Sequence, residues 1–579
     1  MLTFLQLTKN SKQDMSALPK HRLALLGDCA TQHIATAIKG YAYAKGLALD
    51  VLDADYDQIL PQVIDSQSAM YGFKPDTVLI FMCAEKLYTD WCKTPQDTRA
   101  GFSDSTFTVI KDHWGHITSN CAAKIMQFTF CENDDMCFGN FALSQDTSFI
   151  YQLRRLNQLI MESSTQNRNV FLVDLNGIQT RIGRERFFDA KLYYTAKIPI
   201  SLNALPTVAA NVVDVINAIR GEVKKCIILD LDNTLWGGVI GDDGLSGVQI
   251  GELGIGHAFT ELQMWLKEMK NRGILLAVCS KNDEATAKEP FLSHDEMILR
   301  LDDFAVFVAN WEDKAKNITH IRDTLNIGLD SMVFIDDNPF ERDLVHALLP
   351  DVTIPDLPED PADYLTHLKN LNLFEIASFS EEDVSRTQHY RAEAERTAQQ
   401  KQYANYDEYL ISLEMEALAA PFDEYNIPRI AQLTQRSNQF NLRTVRYTEA
   451  EVEAAASNPD LITIYFKLND KYSDHGLISV VILEKRSGSN LFINTWLMSC
   501  RVLNRSMEEF IINKIIETGT QHGCNTITGE YIRTQKNAMV SDIYERLGFT
   551  RVGDNQFTAN INSFTYNKTY IKEQNHEPE

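Results

Sequence analysis

The chain has 579 residues, of which 44% are apolar and 23% are charged. This length predicts about three to four domains, and the composition excludes a disordered scaffold or a fibre. The formal net charge of −24 excludes non-specific nucleic-acid binding and attachment to anionic membranes, since both need a basic surface. The sequence shows neither a signal peptide, nor a membrane-spanning apolar run, nor regular cysteine spacing. We therefore expect a cytoplasmic protein with reduced thiols.

Residues 1–205 alternate short apolar runs with helical stretches, a pattern that predicts an α/β domain with a parallel sheet. Each strand candidate is an apolar run bounded by polar residues. The candidates are RLALLG (22–27), ALDVLDA (48–54), TVLIFM (77–82) and NVFLVDL (169–175).

The segment LLGDCATQ (25–32) resembles the first block of SGNH-type hydrolases, with Cys29 in the position of the serine. A thiol at a helix N-terminus would have a lowered pKa, so Cys29 is a candidate nucleophile. The SGNH pattern also needs Asp-x-x-His, whereas FFDAKLYY (187–194) offers Asp189 with Leu192 in the histidine position. The alternative is that Cys29 is a small buried packing residue.

Residues 222–375 repeat the strand-and-helix pattern more clearly, and polar residues follow the strands. CIILDLDNT (226–234) ends a buried strand with Asp230 and presents Asp232 two residues later. Ligands of open α/β sheets lie at such carboxyl ends. Asp230 could attack a phosphorus atom in line, and Asp232 could protonate the leaving oxygen and later activate water. Neighbouring carboxylates repel, so we expect Mg²⁺ between them.

The later strand ends of this segment carry matching chemistry. ILLAVCSKND ends in Ser280, whose hydroxyl could hold a phosphoryl oxygen, and NWEDKAKNI offers Lys314 as a counter-charge. SMVFIDDNPFER places Asp336 and Asp337, hard oxygen ligands for Mg²⁺, after a fourth strand. Together these motifs resemble the haloacid dehalogenase (HAD) phosphatase superfamily. The resemblance implies an aspartyl-phosphate intermediate, and it implies Mg²⁺ bound by Asp230, Asp232, Asp336 and Asp337.

The longer motif DLDNTLWGGVIGDDG (230–244), with AVCSKND, NWEDKAKNI and FIDDNPFER, is similar to FkbH-like proteins of HAD subfamily IIIC. That resemblance implies removal of phosphate from 1,3-bisphosphoglycerate and loading of a glyceryl group onto the phosphopantetheine thiol of an acyl carrier protein. We assign the remaining contacts with the phosphoester substrate to residues beside the motif aspartates and Ser280, namely Thr234, Gly237, Gly238, Lys281 and Asn282.

An enzyme thiol could carry the acyl group before it reaches the carrier. Cys279 adjoins Ser280 at the strand end and is the candidate by position. Adjacent strand residues point to opposite faces, so either Ser280 or Cys279 faces the site. The alternative is that Cys279 is a buried core residue.

A charged, helix-favouring stretch predicts a helical linker over 376–410, followed by a domain over 411–579 with antiparallel strand candidates. GEYIRTQKNAMVSDIYERLGF (529–549) resembles the end of a GNAT-type acyltransferase, with Asn537 and Tyr544 on its helix. In SCRVLNRSMEEF, Asn504 and Ser506 stand where the CoA-binding pattern prefers glycine, while Arg501 and Arg505 could hold a phosphate. The ligand would be CoA or a carrier-borne pantetheine arm. The alternative is a GNAT-like fold without a ligand.

The resulting fold prediction is α/β: a HAD-type, Rossmann-like parallel sheet flanked by an SGNH-like α/β domain and a GNAT-like α+β domain. Two other functions stay open, a phosphatase of sugar or small-acid phosphates without acyl transfer and a carrier-docking module. Acyl carrier proteins and phosphorylated acids are both negative. We therefore expect a locally basic patch, with Lys281, Lys314, Arg501 and Arg505 as candidates.

Overall fold

The computed structural model describes most of the chain. It forms two compact units, Met1–Asn217 and Ala218–Glu579, which are described separately. No described helix combines the length and apolar character that crossing a membrane requires. The described residues are 2–15, 18, 20–379, 405–437, 439–471, 473–499, 502–503, 505–534 and 536–574.

The first unit contains a parallel sheet of strand order β2-β1-β3-β4-β5. The four predicted strands are present. The sequence did not predict β4, whose run KIMQF contains Gln127; this side chain is buried and accepts a hydrogen bond from Trp114 Nε1 at 3.3 Å. The strands are β1 (Lys20–Gly27), β2 (Ala48–Asp53), β3 (Thr77–Phe81), β4 (Lys124–Phe128) and β5 (Val170–Val173).

Helices connect these strands and pack against the sheet, as parallel connections require. A buried apolar cluster that includes Trp114, Phe149 and Ile125 fills the space between the layers. The helices are α1 (Phe4–Asn10), α2 (Gln32–Ala44), α3 (Ile59–Ile64), α4 (Ala69–Phe73), α5 (Ala84–Lys93), α6 (Phe102–Asn120), α7 (Phe149–Gln166), α8 (Leu175–Ile182), α9 (Arg184–Phe187), α10 (Ala190–Ala196) and α11 (Leu205–Ile219), the last of which contains the boundary between the units.

The second unit begins with a four-stranded parallel sheet of order β8-β7-β6-β9. Strands β6, β7 and β9 are buried at every position, which explains their continuous apolar runs. The elements are β6 (Cys226–Leu229), α12 (Ile240–Asp243), α13 (Gly256–Asn271), β7 (Leu275–Ser280), α14 (Glu284–Ser293), β8 (Phe304–Ala309), α15 (Lys314–Leu325), β9 (Met332–Ile335), α16 (Pro339–Leu348) and α17 (Tyr364–Asn370).

The same unit contains a third, mainly antiparallel sheet, whose longest strands correspond to the predicted candidates LITIYFKL (461–468), GLISVVILEK (476–485) and LFINTWLMS (491–499). Its elements are α18 (Tyr406–Ser412), β10 (Glu416–Ala420), α19 (Ile427–Arg436), β11 (Phe440–Asn441), α20 (Glu449–Ser457), β12 (Leu461–Asn469), β13 (Asp474–Arg486), β14 (Asn490–Met498), α21 (Met507–Gln521), β15 (Thr526–Glu530), α22 (Ile543–Arg546), β16 (Thr550–Arg551), β17 (Gln556–Asn560) and β18 (Lys572–Glu573).

The predicted fold class is confirmed: two parallel α/β sheets are followed by an α+β sheet. The domain boundaries given above stay a prediction. Most of the predicted linker, 380–404, lies outside the described residues.

Close packing of α1 on α2 yields a test of the first unit. A Cβ added at Gly40 of α2 would lie 2.0 Å from the Leu7 carbonyl oxygen of α1. We expect Gly40→Ala to destabilise the α1–α2 contact by about 1–3 kcal/mol, the cost of overpacking. Hydrogen exchange of the full-length chain, followed on peptides covering residues 4–10, should accelerate.

Gly115 of α6 is the matched control, because a Cβ there would meet nothing within 4 Å. Gly115→Ala should be neutral or stabilising by up to about 1 kcal/mol, since alanine favours helix over glycine. Unchanged exchange of residues 4–10 in Gly40→Ala would contradict the packing argument.

Candidate functional site

The carboxyl ends of the central parallel strands bring four predicted residues to one edge of the sheet. Asp230 follows β6, Ser280 ends β7, Lys314 begins α15 after β8, and Asp336 follows β9. All four side chains are buried, with exposed fractions of 7%, 2%, 3% and 0%. The register of the sheet therefore assembles groups that are more than 100 residues apart.

Lys314 is the counter-charge at the centre of this edge. Its Nζ lies 2.5 Å from Asp336 Oδ2 and 3.1 Å from Asp230 Oδ1. Burial by itself lowers the pKa of Lys314, but Asp230 and Asp336 outweigh burial, and the pKa is raised. The lysine is therefore held as a buried cation between two carboxyl groups.

Asp230, Asp336 and Asp337 form a group that fits a divalent cation. One carboxylate oxygen from each lies within 4.8 Å of the other two, and carboxylate oxygens are the ligands that Mg²⁺ prefers. Asp230 Oδ1 is buried and accepts no hydrogen bond, because Lys314 approaches it as an ion pair without hydrogen-bond geometry. The donor set and this unsatisfied oxygen both suit Mg²⁺.

Burial is the largest influence on all three of these carboxyl groups. It raises the pKa of Asp230, which Lys314 lowers and Asp336 raises further. Burial likewise raises the pKa of Asp336 and of Asp337. The anionic forms are thus costly without a nearby cation, the condition under which a bound metal stabilises a site.

Asp232 lies outside the three-carboxylate group. Its Oδ1 accepts hydrogen bonds from Trp236 Nε1 at 3.0 Å and from the Ile240 amide at 3.1 Å, and its Oδ2 accepts one from Asn282 Nδ2 at 2.8 Å. These bonds fix the orientation of the carboxylate. Its acid–base role and its assignment as a metal ligand stay predictions.

The predicted substrate contacts divide into two groups. The Thr234 hydroxyl accepts from the Asp337 amide at 3.1 Å and lies 3.3 Å from Asp337 Oδ1, so it positions the loop that carries Asp337. Gly237 and Gly238 shape the loop after β6, and their amides donate to the Gln249 carbonyl and to Asn233 Oδ1.

Gly238 is required by its backbone, since its φ is +94° and a Cβ would lie 3.0 Å from Asp243 Oδ2. Asn282 is buried and donates to both Asp232 and the Ser280 hydroxyl, at 2.8 and 3.3 Å. Lys281 donates to Glu341 Oε1 at 2.6 Å. The substrate-binding assignments of these residues stay predictions.

Sequence reasoning missed three residues that support the site. Arg342 donates to the carbonyl oxygens of Asp336 and Asp337 at 2.9 and 2.7 Å. Glu341 is buried beside Lys281, and Trp236 orients Asp232. All three residues lie inside the motifs quoted above. Arg342 could have been predicted as a supporting residue, because it lies in the first two turns of the helix that follows Asp337.

Successive side chains of β7 point to opposite faces of the sheet, so the side chains of Cys279 and Ser280 have different surroundings. Cys279 is fully buried in an apolar cluster with Cys226, Ile228 and Ala277, and burial raises the pKa of its thiol. Ser280 instead contacts Asn282, and a hydrogen bond from its hydroxyl helps to lower the Asp230 pKa. The packing favours the core alternative for Cys279; its acyl-carrying role stays untested.

Cys29 in the first unit does not begin a helix, because α2 starts at Gln32 with Thr31 as its cap. Its side chain is 1% exposed. Burial, and then a hydrogen bond with Cys83, raise the pKa of the Cys29 thiol well above its usual value, the opposite of the direction expected from the sequence. Its role as a nucleophile stays a prediction.

The candidate acyl-site residues of the last sheet contact other protein groups. The Asn537 amide is fully buried; its oxygen accepts from Tyr531 and Thr534 and its nitrogen donates to the carbonyls of Asn441 and Ile532. Tyr544 is 1% exposed and stacks on Phe557 at 5.1 Å between ring centroids.

Arg505 is buried beside Asp470 and His475, at 3.5 and 3.3 Å. Arg501 and Asn504 lie outside the described residues. Lys314 and Arg505 are both buried next to carboxylates, so neither contributes to an exposed basic patch of the kind we expected.

Ser506 adopts φ = +58°, the left-handed region that a glycine-rich loop provides easily. Ser506 directly precedes α21, at the position where the resemblance to GNAT-type acyltransferases places the pyrophosphate of CoA. Its Oγ accepts from the Tyr570 amide at 3.1 Å, and its carbonyl accepts from Thr569 Oγ1 at 3.1 Å. Residues near the C-terminal end therefore contact this helix start. The acyl or pantetheine site stays a prediction.

The chain is similar to a known protein family and, over most of its length, to a solved structure. The family described as FkbH, N-terminal domain, matches residues 22–217. The N-terminal part of protein BF1531 from Bacteroides fragilis, described as containing a phosphatase domain complexed with Mg, is 47% identical. That structure covers 66% of this chain and 100% of its own, with a TM-score of 0.63.

Two acetyltransferase structures are also similar over short regions. The ribosomal-protein-S18-alanine N-acetyltransferase from Escherichia coli is 13% identical, covering 24% of this chain and 90% of its own with a TM-score of 0.20. An aminoglycoside 6'-acetyltransferase type Ii is 15% identical, covering 25% and 96% with a TM-score of 0.19. No curated protein matches the chain. On the strength of the match to BF1531 and of the FkbH N-terminal domain, the chain belongs to the family of FkbH-like proteins.

Proposed function

We propose that this FkbH-like chain is a Mg²⁺-dependent HAD-type phosphatase. We further propose that it acts on a phosphoglycerate-type acyl phosphate and passes the acyl group to the thiol of an acyl carrier protein. The observation that carries the proposal is the group formed by Asp230, Asp336, Asp337 and Lys314 at one sheet edge. The Mg-bound phosphatase domain of BF1531, 47% identical over its whole length, supports the metal.

Asp230 is the nucleophile for the phosphoryl group. Its carboxylate oxygen attacks the phosphorus of the substrate's phosphoester and not that of its acyl phosphate, the bond to the ester oxygen breaks, and an aspartyl phosphate forms. Asp232 gives a proton to the leaving oxygen and then takes one from the water that hydrolyses the aspartyl phosphate. The hydrogen bonds from Trp236 and Asn282 hold Asp232 in one orientation for both transfers.

Lys314, and the Mg²⁺ that the carboxylates would hold, balance the negative charge of the phosphoryl group. The Lys314 ammonium lies 3.1 Å from Asp230 Oδ1 and is buried, so it can stabilise phosphoryl oxygens in a site with little competing water. Asp230, Asp336 and Asp337 would hold Mg²⁺, which, when bound, neutralises charge on the carboxylates and on the substrate.

Acyl transfer is a separate step in this proposal. The carrier thiolate attacks the carbonyl carbon of the acyl phosphate, the carbon–oxygen bond to phosphate breaks, and phosphate leaves with the electron pair. A thioester remains on the carrier. The chemistry needs no oxidant or reductant.

A phosphatase without acyl transfer is the second candidate function. It is favoured by the contacts of Asn537 and Arg505, whose polar groups bond to other parts of the protein. Burial of Cys279 in the apolar core favours it as well. This candidate predicts phosphate release that does not depend on a carrier protein.

Replacing the nucleophile tests the phosphatase chemistry. Asp230→Asn should lower phosphate release from acetyl phosphate or p-nitrophenyl phosphate by roughly a thousandfold or more, because the amide cannot attack phosphorus. Released phosphate is measured at saturating Mg²⁺. Asp323→Asn, an exposed aspartate of α15, is the matched control and should keep full activity. Persistent release by Asp230→Asn would remove the proposed mechanism.

Metal removal tests the carboxylate group independently. Chelation should abolish phosphate release and Mg²⁺ should restore it, whereas Ca²⁺ should not, since it prefers a larger and less regular oxygen shell. In calorimetry, Asp336→Asn and Asp337→Asn should each weaken Mg²⁺ binding. Mg²⁺ binding at wild-type affinity in both variants would place the metal elsewhere.

A carrier-loading assay separates the acyl-transfer proposal from its alternatives. The chain is mixed with 1,3-bisphosphoglycerate, Mg²⁺ and a phosphopantetheinylated acyl carrier protein, and both proteins are weighed as intact species. A glyceryl thioester on the carrier supports acyl transfer, with Asp230→Asn leaving the phosphorylated adduct. Phosphate release without a carrier adduct supports the plain phosphatase, and neither product supports the docking module.

A further inference from the structure

A second group of metal-ligating side chains lies in the first unit, at the carboxyl edge of its parallel sheet. Asp28 and Cys29 follow β1 and Cys83 follows β3, adjacent strands whose pairing runs to Gly27 and Phe81. One oxygen of Asp28 and the two thiol sulfurs all lie within 4.8 Å of one another. We propose that Asp28, Cys29 and Cys83 bind a single thiophilic divalent cation, and that the physiological ion is Zn²⁺.

The spacing and burial of the three groups suit such an ion. Tetrahedral zinc has Zn–S distances of about 2.3 Å and Zn–O distances of about 2.0–2.2 Å, which place neighbouring ligand atoms within the observed separation. The exposed fractions of Asp28, Cys29 and Cys83 are 7%, 1% and 3%. The ligands therefore lie in a nearly dry environment, where charge on two sulfurs and a carboxylate needs a cation.

The support around the ligands resembles that of a built metal site. Asp28 Oδ1 accepts a hydrogen bond from the Cys83 amide at 2.9 Å, which joins the two loops and orients the carboxylate. Such hydrogen bonds position metal ligands in known sites. Gly27 allows the turn, since a Cβ there would lie 2.4 Å from Thr31 Cγ2.

A carboxylate within the group favours a metal over a redox-active cysteine pair, since a disulfide needs only the two sulfurs. Cys83 also lines a cleft together with Glu85, Cys131 and Phe187. Of the three proposed ligands Cys83 borders this cleft, and three protein ligands leave a fourth position for water or a small ligand. This is the ligand count of catalytic rather than structural zinc.

Cobalt titration of the full-length chain tests the site. The reduced, chelator-treated protein is titrated with Co²⁺ alone and followed by near-ultraviolet thiolate-to-cobalt charge transfer. The carboxylate group at Asp230 cannot produce this band because it has only oxygen ligands. We expect the band to saturate at one equivalent and to disappear when Zn²⁺ is added. Asp230→Asn should leave it unchanged, which separates this test from the proposed phosphatase.

Ligand variants assign the band to these residues. Cys29→Ser and Cys83→Ser should each weaken Co²⁺ binding by about a hundredfold. Loss of a group that only hydrogen-bonds to a metal ligand weakens metal binding by about 10–100-fold, and loss of the ligand itself should weaken it at least as much. Cys92→Ser, in an exposed position, is the matched control and should bind normally. The near-isosteric Asp28→Asn keeps both thiols, so its expected tenfold or larger loss tests the site even where a cysteine variant unfolds. Circular dichroism checks the fold of each variant.

Zinc content provides a second measurement. After zinc loading and gel filtration, the wild-type chain should retain one equivalent more than the Cys29→Ser/Cys83→Ser double variant. A charge-transfer band that persists in the double variant would overturn the proposal, as would no band in the wild-type chain. A Cys29–Cys83 disulfide formed under mild oxidation without any metal binding by the reduced chain would establish a redox pair instead.

Discussion

The pairing of Lys314 with Asp230 and Asp336 is the interaction on which the central site depends. Burying charges is costly, and removing one partner of a buried pair typically costs about 3–5 kcal/mol. Each partner comes from a different strand end, so the parallel register must be correct for the charges to meet. The same requirement that stabilises the fold therefore positions the proposed nucleophile, counter-charge and metal ligands.

This arrangement also explains how an acidic chain can serve an anionic substrate. The net charge is −24, yet Lys314 is 3% exposed and is held between carboxylates. The cation proposed to contact the phosphoryl group is thus internal and is not part of a basic surface. Lys281 is similarly paired with Glu341. In the proposed function, local cations and Mg²⁺ overcome the repulsion, while the remaining surface stays negative.

The flanking sheets differ from the central one in how their polar groups are used. The side-chain amide of Asn537 forms hydrogen bonds with other groups of the protein. The Ser506 hydroxyl accepts a hydrogen bond from a segment near the C-terminal end. In the first sheet, an oxygen of Asp28 and the thiols of Cys29 and Cys83 converge. The fold of either sheet therefore does not by itself establish its chemistry.

Strands that are buried on both faces can be predicted from the sequence because nearly all of their residues are apolar. The polar residue that follows or ends such a strand is then easily identified. Asp230, Ser280 and Asp336 were predictable for that reason. The strand β4 was not, because Gln127 interrupts its apolar run; its buried side chain accepts from Trp114 Nε1 and donates to the Phe128 carbonyl.

The sequence by itself determined the fold class and the residues that gather at the central sheet edge, since these depend on local runs and turns. The tertiary structure alone decided that Ser280 contacts the site polar groups while Cys279 packs in the core, and that Asp232 lies apart from the other three carboxylates. It alone brought Cys83 to Asp28 and Cys29, because strand pairing, which no local pattern encodes, joins residues that are distant in the chain.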